Sequence, residues 1–332
     1  MQTIGVIGGG AWGTALAQVF AKNGRDTTIW AREPEVVKSI TTHHQNTIFL
    51  PGIELSKNLK ATGSLDEIAA KDILVLVSPA QYVRTTLGSL KKDINDKPVV
   101  ICAKGIELNT GLLLSQVAED VAPRAKIAIL TGPTFAGEIA RGLPGAVTIA
   151  CADDELGKQL QNALGSKYFR PYLTDDVIGA QVSGAIKNVI AIACGIIHGR
   201  KMGDSARAAL VTRGLAEITR LALSMGAKRE TMLGLCGIGD LMLTCSSMQS
   251  RNFSLGAALG EGKSLEEVLG PRKEVTEGVH TARATLDLAK KFKVEMPITS
   301  AVNKCLNEGL PVDKAIEELL SRPVAAENGN SK

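Results

Sequence analysis

The sequence predicts an α/β domain built on a parallel sheet over residues 1–176, followed by an all-α domain over residues 177–322. Three observations carry this expectation. Short, wholly apolar runs alternate with segments of helical periodicity through the first half. A glycine-rich turn separates the first apolar run from the first helical segment. After about Thr174, long helical patterns follow one another without a convincing strand.

In chain order, Thr3–Ile7 is the first strand, and Ala15, Leu16, Val19 and Phe20 recur at helical spacing behind the glycines. Thr27–Trp30 reads as a second strand and Glu35–Ile40 as a helix. Further strands are expected at Ile73–Val77, Val99–Ala103, Ile127–Leu130 and Ala146–Ala150, with helical segments between most of them. In the second half, Val177–Ile197 is a long, almost wholly apolar helix pattern, and Ser205–Met225 is a second one carrying scattered Arg and Glu. Shorter helices are expected around Phe253–Leu259, Leu265–Leu269, Thr281–Lys291 and Asp313–Leu320. The end of the chain, residues 323–332, is expected to be a flexible tail.

Composition narrows the class of protein. A chain of 332 residues suits two domains with real cores. Its 45% hydrophobic and 22% charged residues are those of a globular protein rather than a disordered one. Aromatic residues make up only 3%, which argues against a surface that binds nucleic acid by stacking bases. The net charge of +4 is mild and forms no basic tract. Six cysteines without a C-x-x-C pair are expected to be reduced and mostly buried, in a cytoplasmic protein. The four histidines lack metal-ligand spacing, so no metal site is expected. The first 21 residues carry no charged side chain, but they lack a basic leader and are split by Gly8-Gly9-Gly10. Neither a signal peptide nor membrane insertion is expected from them.

Gly8-x-Gly10-x-x-Gly13 follows a strand and opens a helix. In that context Gly8 permits the tight turn, Gly10 lets the backbone approach a pyrophosphate, and Gly13 allows close helix–strand packing. The phosphates then meet exposed N–H groups and the positive end of a helix dipole. A structural turn would use glycine too. The agreement of both strands and the helix favours a Rossmann-type dinucleotide site. An acidic residue after the second strand would suit NAD, and an arginine there would suit NADP. Arg32 followed by Glu33 leans towards NADP, with use of both left open.

Candidates for chemistry lie downstream. Lys104 sits at the carboxyl end of the Val99–Ala103 strand, where open α/β sheets bind ligands, though a solvated loop lysine would look the same. Gly132-Pro133-Thr134-Phe135-Ala136 follows another strand and reads either as a ligand-approaching turn or as a plain connection. Lys187 is the only charged residue between Asp176 and Arg200, with Ser183 one turn before it and Asn188 beside it. Burial would lower its pKa towards a usable acid–base range; the alternative is a lysine that snorkels to solvent. Asp240 follows Gly237-Ile238-Gly239, and Ser250-Arg251-Asn252 comes shortly after. Arginine grips phosphate or carboxylate, but a polar triplet in a loop is equally a solvated surface.

Eight blocks, Ile4–Ala17, Leu50–Ile53, Ala103–Glu107, Gly132–Ala136, Ser183–Asn188, Gly239–Leu241, Ser250–Asn252 and Val275–Gly278, resemble in order the NAD(P)-dependent glycerol-3-phosphate dehydrogenases of bacterial type. The resemblance implies a Rossmann domain, a helical domain and an active site in the cleft between them. It implies reversible reduction of dihydroxyacetone phosphate to sn-glycerol 3-phosphate with NAD(P)H, feeding phospholipid synthesis, and a homodimer. By resemblance Lys187 is the catalytic proton acceptor. Lys104, Gly132, Thr134, Lys187, Asp240, Ser250, Arg251 and Asn252 are implied for the phosphorylated substrate. Gly8, Gly10, Ala11, Trp12, Gly13, Arg32, Lys104, Ala136, Arg251, Val275 and Glu277 are implied for the cofactor. Ala11 and Thr134 stand where many relatives have serine, and Ala11 thereby loses one phosphate contact. Two rival readings stay open: a hydroxy-acid dehydrogenase of the same plan, and a dinucleotide-sensing regulator without catalysis.

Overall fold

The computed structural model describes residues 2–90, 94–271 and 275–323. Of the expected flexible tail, residues 323–332, all but Pro323 lie outside those residues. The first half runs β1 (Ile4–Ile7), α1 (Ala11–Lys22), β2 (Thr27–Trp30), α2 (Pro34–His43), β3 (Lys60–Thr62) and α3 (Leu65–Ala69). It continues with β4 (Ile73–Leu76), α4 (Val83–Leu90), β5 (Pro98–Ile101), α5 (Leu114–Val121) and β6 (Lys126–Thr131). Then come α6 (Ala136–Arg141), β7 (Gly145–Ala150), α7 (Asp154–Leu164) and β8 (Phe169–Thr174).

These strands form one eight-stranded sheet in the order β3-β2-β1-β4-β5-β6-β7-β8. β1 and β4 are buried along their whole length because helices cover both faces. Alternate residues of β4 serve the two faces. Ile73 and Val75 join the core with α1, α2 and α7, whereas Leu74 and Leu76 join the one with α3, α4 and α5.

The expectation of a parallel sheet needs one correction. β7 runs antiparallel to β6, and β8 then pairs parallel with β7. Two strands also escape the apolar-run criterion. β3 is three residues long and half exposed. β8 alternates buried and exposed residues, as an edge strand does, and carries Pro171, which edges tolerate.

The second half is helical: α8 (Val177–Gly199), α9 (Asp204–Ser224), α10 (Arg229–Met232), α11 (Asp240–Thr244) and α12 (Arg251–Gly260). α13 (Leu265–Leu269), α14 (Glu277–Lys291), α15 (Pro297–Asn307) and α16 (Val312–Leu320) complete it. Asp176 caps α8 by accepting from Gly179 N at 2.8 Å, and its other oxygen accepts from Lys228 N before α10 at 2.8 Å. α8 is long and apolar enough to cross a membrane by composition, yet 94% of its most apolar window is buried. It is the axis on which α9, α12 and α14 pack.

α8 and α12 touch backbone to backbone. A Cβ on Gly195 would lie 2.1 Å from the Phe253 carbonyl oxygen, and one on Gly256 would lie 2.0 Å from that of Ile192. This glycine seam brings the first turn of α12 down onto α8.

α15 was not anticipated, although Pro297 at its first turn is a start signal. Its N-terminal amides are satisfied from another helix. Glu217 of α9, almost fully buried, accepts from Ile298 N at 2.6 Å, Thr299 N at 3.2 Å and Thr299 Oγ1 at 3.1 Å. Burial pushes the Glu217 carboxyl up to about 7 despite those donors. Glu217→Ala strands buried donors, each costing about 1–3 kcal/mol, and should lower the melting temperature by roughly 3–8 °C. Thermal unfolding followed by circular dichroism checks this; an unchanged melting temperature would show that the tie is dispensable.

Candidate active site

The carboxyl ends of β1, β4, β5 and β6 face the helical half, and most candidates meet there. At β1 the chain leaves the strand through Gly8, whose φ of +130° only glycine adopts easily. Gly10 caps α1 without any side-chain cap, and a Cβ there would meet open space. The first-turn amides of α1 are thus presented outward. Gly13 is tightest: a Cβ would sit 1.9 Å from the Gly8 carbonyl oxygen. Ala11 and Trp12 occupy the same first turn, half-buried. Arg32, beyond β2, is largely exposed and pairs with Glu33 at 3.2 Å.

This cradle fits a dinucleotide. Nearby, Glu277 Oε1 accepts from Ala80 N at 3.0 Å, bridging the loop after β4 to the start of α14. Its Oε2 and the Ser78 hydroxyl are buried and lack a protein partner among the described residues. Such orphaned atoms are expected where a bound molecule completes the site. Burial raises the Glu277 pKa, against the Ala80 amide and the Arg251 charge, which lower it.

The chemical centre lies deeper. Asp240 accepts from Lys104 Nζ at 2.7 Å through Oδ2 and from Lys187 Nζ through Oδ1. Lys187 also donates to Thr244 Oγ1 at 2.8 Å, and Thr244 Oγ1 donates to the Asp240 carbonyl at 2.6 Å. Lys187 and Asp240 are buried, whereas the Lys104 side chain stays 20% exposed, so the cluster reaches solvent on the Lys104 side. Burial lowers the Lys187 pKa to about 7; Asp240 opposes that shift and the Lys104 charge adds to it. Burial works against the Asp240 carboxylate as well, yet Lys104 and Lys187 together hold it below its ordinary value.

Local sequence explains the placement. Asp240 follows a five-residue π-turn, Leu235–Gly239, in which Gly237 takes a non-helical conformation. A Cβ on Gly237 would lie 2.2 Å from the Met232 carbonyl oxygen. The wide turn swings Asp240 against α8. Thr244, one helical turn later, was not anticipated from the sequence. Its spacing of four from Asp240 was the available signal.

The remaining candidates divide. Gly132 has φ +152° and backs closely onto Val147, and Thr134 Oγ1 donates to the Gly132 carbonyl at 3.4 Å. Ala136 opens α6, half-buried. Ser250 caps α12 by accepting from Phe253 N at 3.2 Å. Asn252 is buried, and its Oδ1 accepts from Gly278 N at 3.0 Å, which turns its amide nitrogen away as a donor. Arg251 is exposed and donates to the Val275 carbonyl at 2.9 Å. Ser183 bonds back to Gly179 of its own helix at 2.8 Å.

A Rossmann-type sheet with a glycine cradle, facing a helical half that contributes a buried lysine, defines a dinucleotide-dependent oxidoreductase. The family model for the N-terminus of NAD-dependent glycerol-3-phosphate dehydrogenase matches residues 3–157, and that for its C-terminus matches residues 176–317. The chain belongs to this family. It is 56% identical to a glycerol-3-phosphate dehydrogenase [NAD(P)+] of Parvibaculum lavamentivorans, covering 98% of each chain. A Rhodospirillum rubrum relative of the same name is 53% identical over 98% of this chain and 94% of its own. Among solved structures, the glycerol-3-phosphate dehydrogenase of Coxiella burnetii superposes with a TM-score of 0.93 at 36% identity, covering 97% of this chain and 99% of that one.

The Gly13 contact yields a direct test. Gly13→Ala must displace either α1 or the Gly8 turn, and should weaken NADH and NADPH binding at least tenfold, read by quenching of protein fluorescence. Wild-type affinity would place the dinucleotide elsewhere.

Proposed function

We propose that this enzyme reversibly reduces dihydroxyacetone phosphate to sn-glycerol 3-phosphate with NAD(P)H, feeding glycerophospholipid synthesis. Residues 1–176 hold the dinucleotide and residues 177–322 supply the catalytic lysine. The observation that carries the reading is the Asp240 carboxylate shared between Lys104 and Lys187.

A bound nicotinamide dinucleotide supplies or removes the hydride. The protein does the rest. Two ammonium groups against one carboxylate leave a surplus positive charge in the cleft, suited to a phosphorylated substrate and to a developing alkoxide. Two of the three Lys187 N–H groups are engaged, by Asp240 and Thr244, which leaves the third for the substrate oxygen. Lys187 donates its proton to that oxygen during reduction and takes it back during oxidation. Ser250, Arg251 and Asn252 at the start of α12, with Gly132 and Thr134, receive the phosphate. Ala11, Trp12, Ala136, Val275 and Glu277 line the dinucleotide path. Arg32 gives NADPH the advantage by meeting its 2′-phosphate.

Five buried cysteines and one half-buried one, all unpaired, suit the reducing cytoplasm. The homodimer implied by resemblance belongs to the same proposal. The hydroxy-acid dehydrogenase and the non-catalytic regulator are not favoured by the relatives.

Loss of NADPH absorbance on adding dihydroxyacetone phosphate, with hydroxy and keto acids as controls, tests the reaction. Turnover of the unphosphorylated acids alone would transfer the assignment to them. Lys187→Ala should lower kcat by about 10²–10⁴. Arg251→Ala should mainly raise the substrate KM, by roughly tenfold or more. The reductive kcat needs the Lys187 ammonium and should fall as pH rises through about 7, while the oxidative kcat rises over the same range. Asp240→Asn removes a charge that raises the Lys187 pKa, so both midpoints should move to lower pH. Midpoints that stay in place would assign the titration to another group.

A further inference from the structure

Between α2 and β3 the chain makes a long excursion, and two fully buried amides tie it to α1. Gln18 donates to the Glu54 carbonyl at 3.0 Å and accepts from Ser56 N at 2.7 Å. Asn46 faces the opposite way, into the glycine turn. Its Nδ2 donates to the Gly9 carbonyl at 2.8 Å and to Thr14 Oγ1 at 2.8 Å, while its Oδ1 accepts from Phe49 N at 3.1 Å. Thr14 Oγ1 itself leans on the same Gly9 oxygen at 3.4 Å.

A trans peptide is planar, with its C=O and N–H pointing in opposite directions. Holding the Gly9 oxygen against Asn46 therefore aims the Gly10 N–H away from Asn46, and the turn is open at Gly10, where a Cβ would meet nothing within 4 Å. Three successive glycines restrict their own dihedrals little, so the orientation of this peptide rests on its contacts, of which the bond from Asn46 Nδ2 is the shorter of the two side-chain bonds to the Gly9 oxygen. The turn also lacks a hydroxyl at Ala11, so within the turn itself the donors offered to a pyrophosphate are backbone amides.

We propose that Asn46 is a positioning residue for the cofactor: its side-chain amide locks the Gly9–Gly10 peptide so that the turn's amides point at the dinucleotide pyrophosphate. This rests on the dinucleotide-binding reading given above. Asn46 is fully buried beneath the turn and acts through it, and its Oδ1, accepting from Phe49 N, orders the loop that carries it.

The two roles of Asn46 can be separated. Asn46→Asp keeps the acceptor for Phe49 and loses the donor to Gly9, whereas Asn46→Ala loses both without adding charge. Gln18→Ala loosens the same excursion without touching the glycine turn. Dissociation constants for NADH and NADPH, measured by calorimetry on the full-length protein at pH 8, give the readout. Both Asn46 variants should bind the two dinucleotides about tenfold or more weakly, by the same factor for each, since the two share the pyrophosphate. The substrate KM at saturating cofactor should stay within about twofold, and Gln18→Ala should bind cofactor like the wild type.

An Asn46 variant with wild-type affinity would overturn the proposal. So would a Gln18→Ala protein as impaired as Asn46→Ala, since loop order alone would then explain the loss. Melting temperatures of all three identify any variant that is simply unfolded, and Thr14→Val, which removes one of the two Asn46 acceptors, then supplies an independent test. Its binding should weaken in the same direction for both dinucleotides, and unchanged binding would count against the lock. If the wild type itself bound neither dinucleotide, the functional reading would fail instead.

Discussion

The Asp240 carboxylate is the point on which the two halves of this enzyme converge. Lys104 reaches it from the end of a sheet strand, and Lys187 reaches it from the middle of the central helix. A buried carboxylate without partners would be costly, and a buried lysine equally so. Together with Thr244 they satisfy one another, so the cleft keeps its charges in place before any substrate arrives. The surplus positive charge that results is the feature an anionic substrate can use.

That arrangement depends on helix packing as much as on charge. α8 buries Lys187 because the helix around it is mostly apolar and buried from Gly179 to Ile196. Its glycines let α12 approach to backbone contact, which seats the start of α12, with Ser250, Arg251 and Asn252, beside α8. The π-turn at Leu235–Gly239 swings Asp240 into reach from yet another segment. Glu277 closes the circuit by joining α14 to the loop after β4. Charged residues drawn from the segment after β5, α8, α11 and α14 thus meet across a single boundary between sheet and helices.

Much of this was legible from local pattern. Lys187 stood out as the lone charge in a long apolar helix, and burial gives it the depressed pKa that the pattern suggested. The apolar strands β1, β2, β4, β5, β6 and β7 were recognisable because burial on both faces demands continuous apolar residues. β3 and β8 were not, since an edge strand is half exposed and may carry a proline or an arginine. The reversal of β7 was equally invisible, because an apolar strand looks the same in either direction.

Arg251 is a residue whose type the pattern singled out but whose setting it did not give: it lies exposed at the start of α12 and donates to the Val275 carbonyl. Asn46 shows the reverse: one asparagine in an unremarkable loop, it carries no signal until the fold places it under the glycine turn. The order of residue types along the chain was enough to dictate the sheet-then-helix architecture, the glycine cradle and the buried lysine, because each follows from periodicity, steric size or isolation within a few turns. Which carboxylate the lysine meets, how a glycine peptide is aimed and where the strands reverse were decided by contacts between residues tens of positions apart. Local pattern says nothing about such contacts.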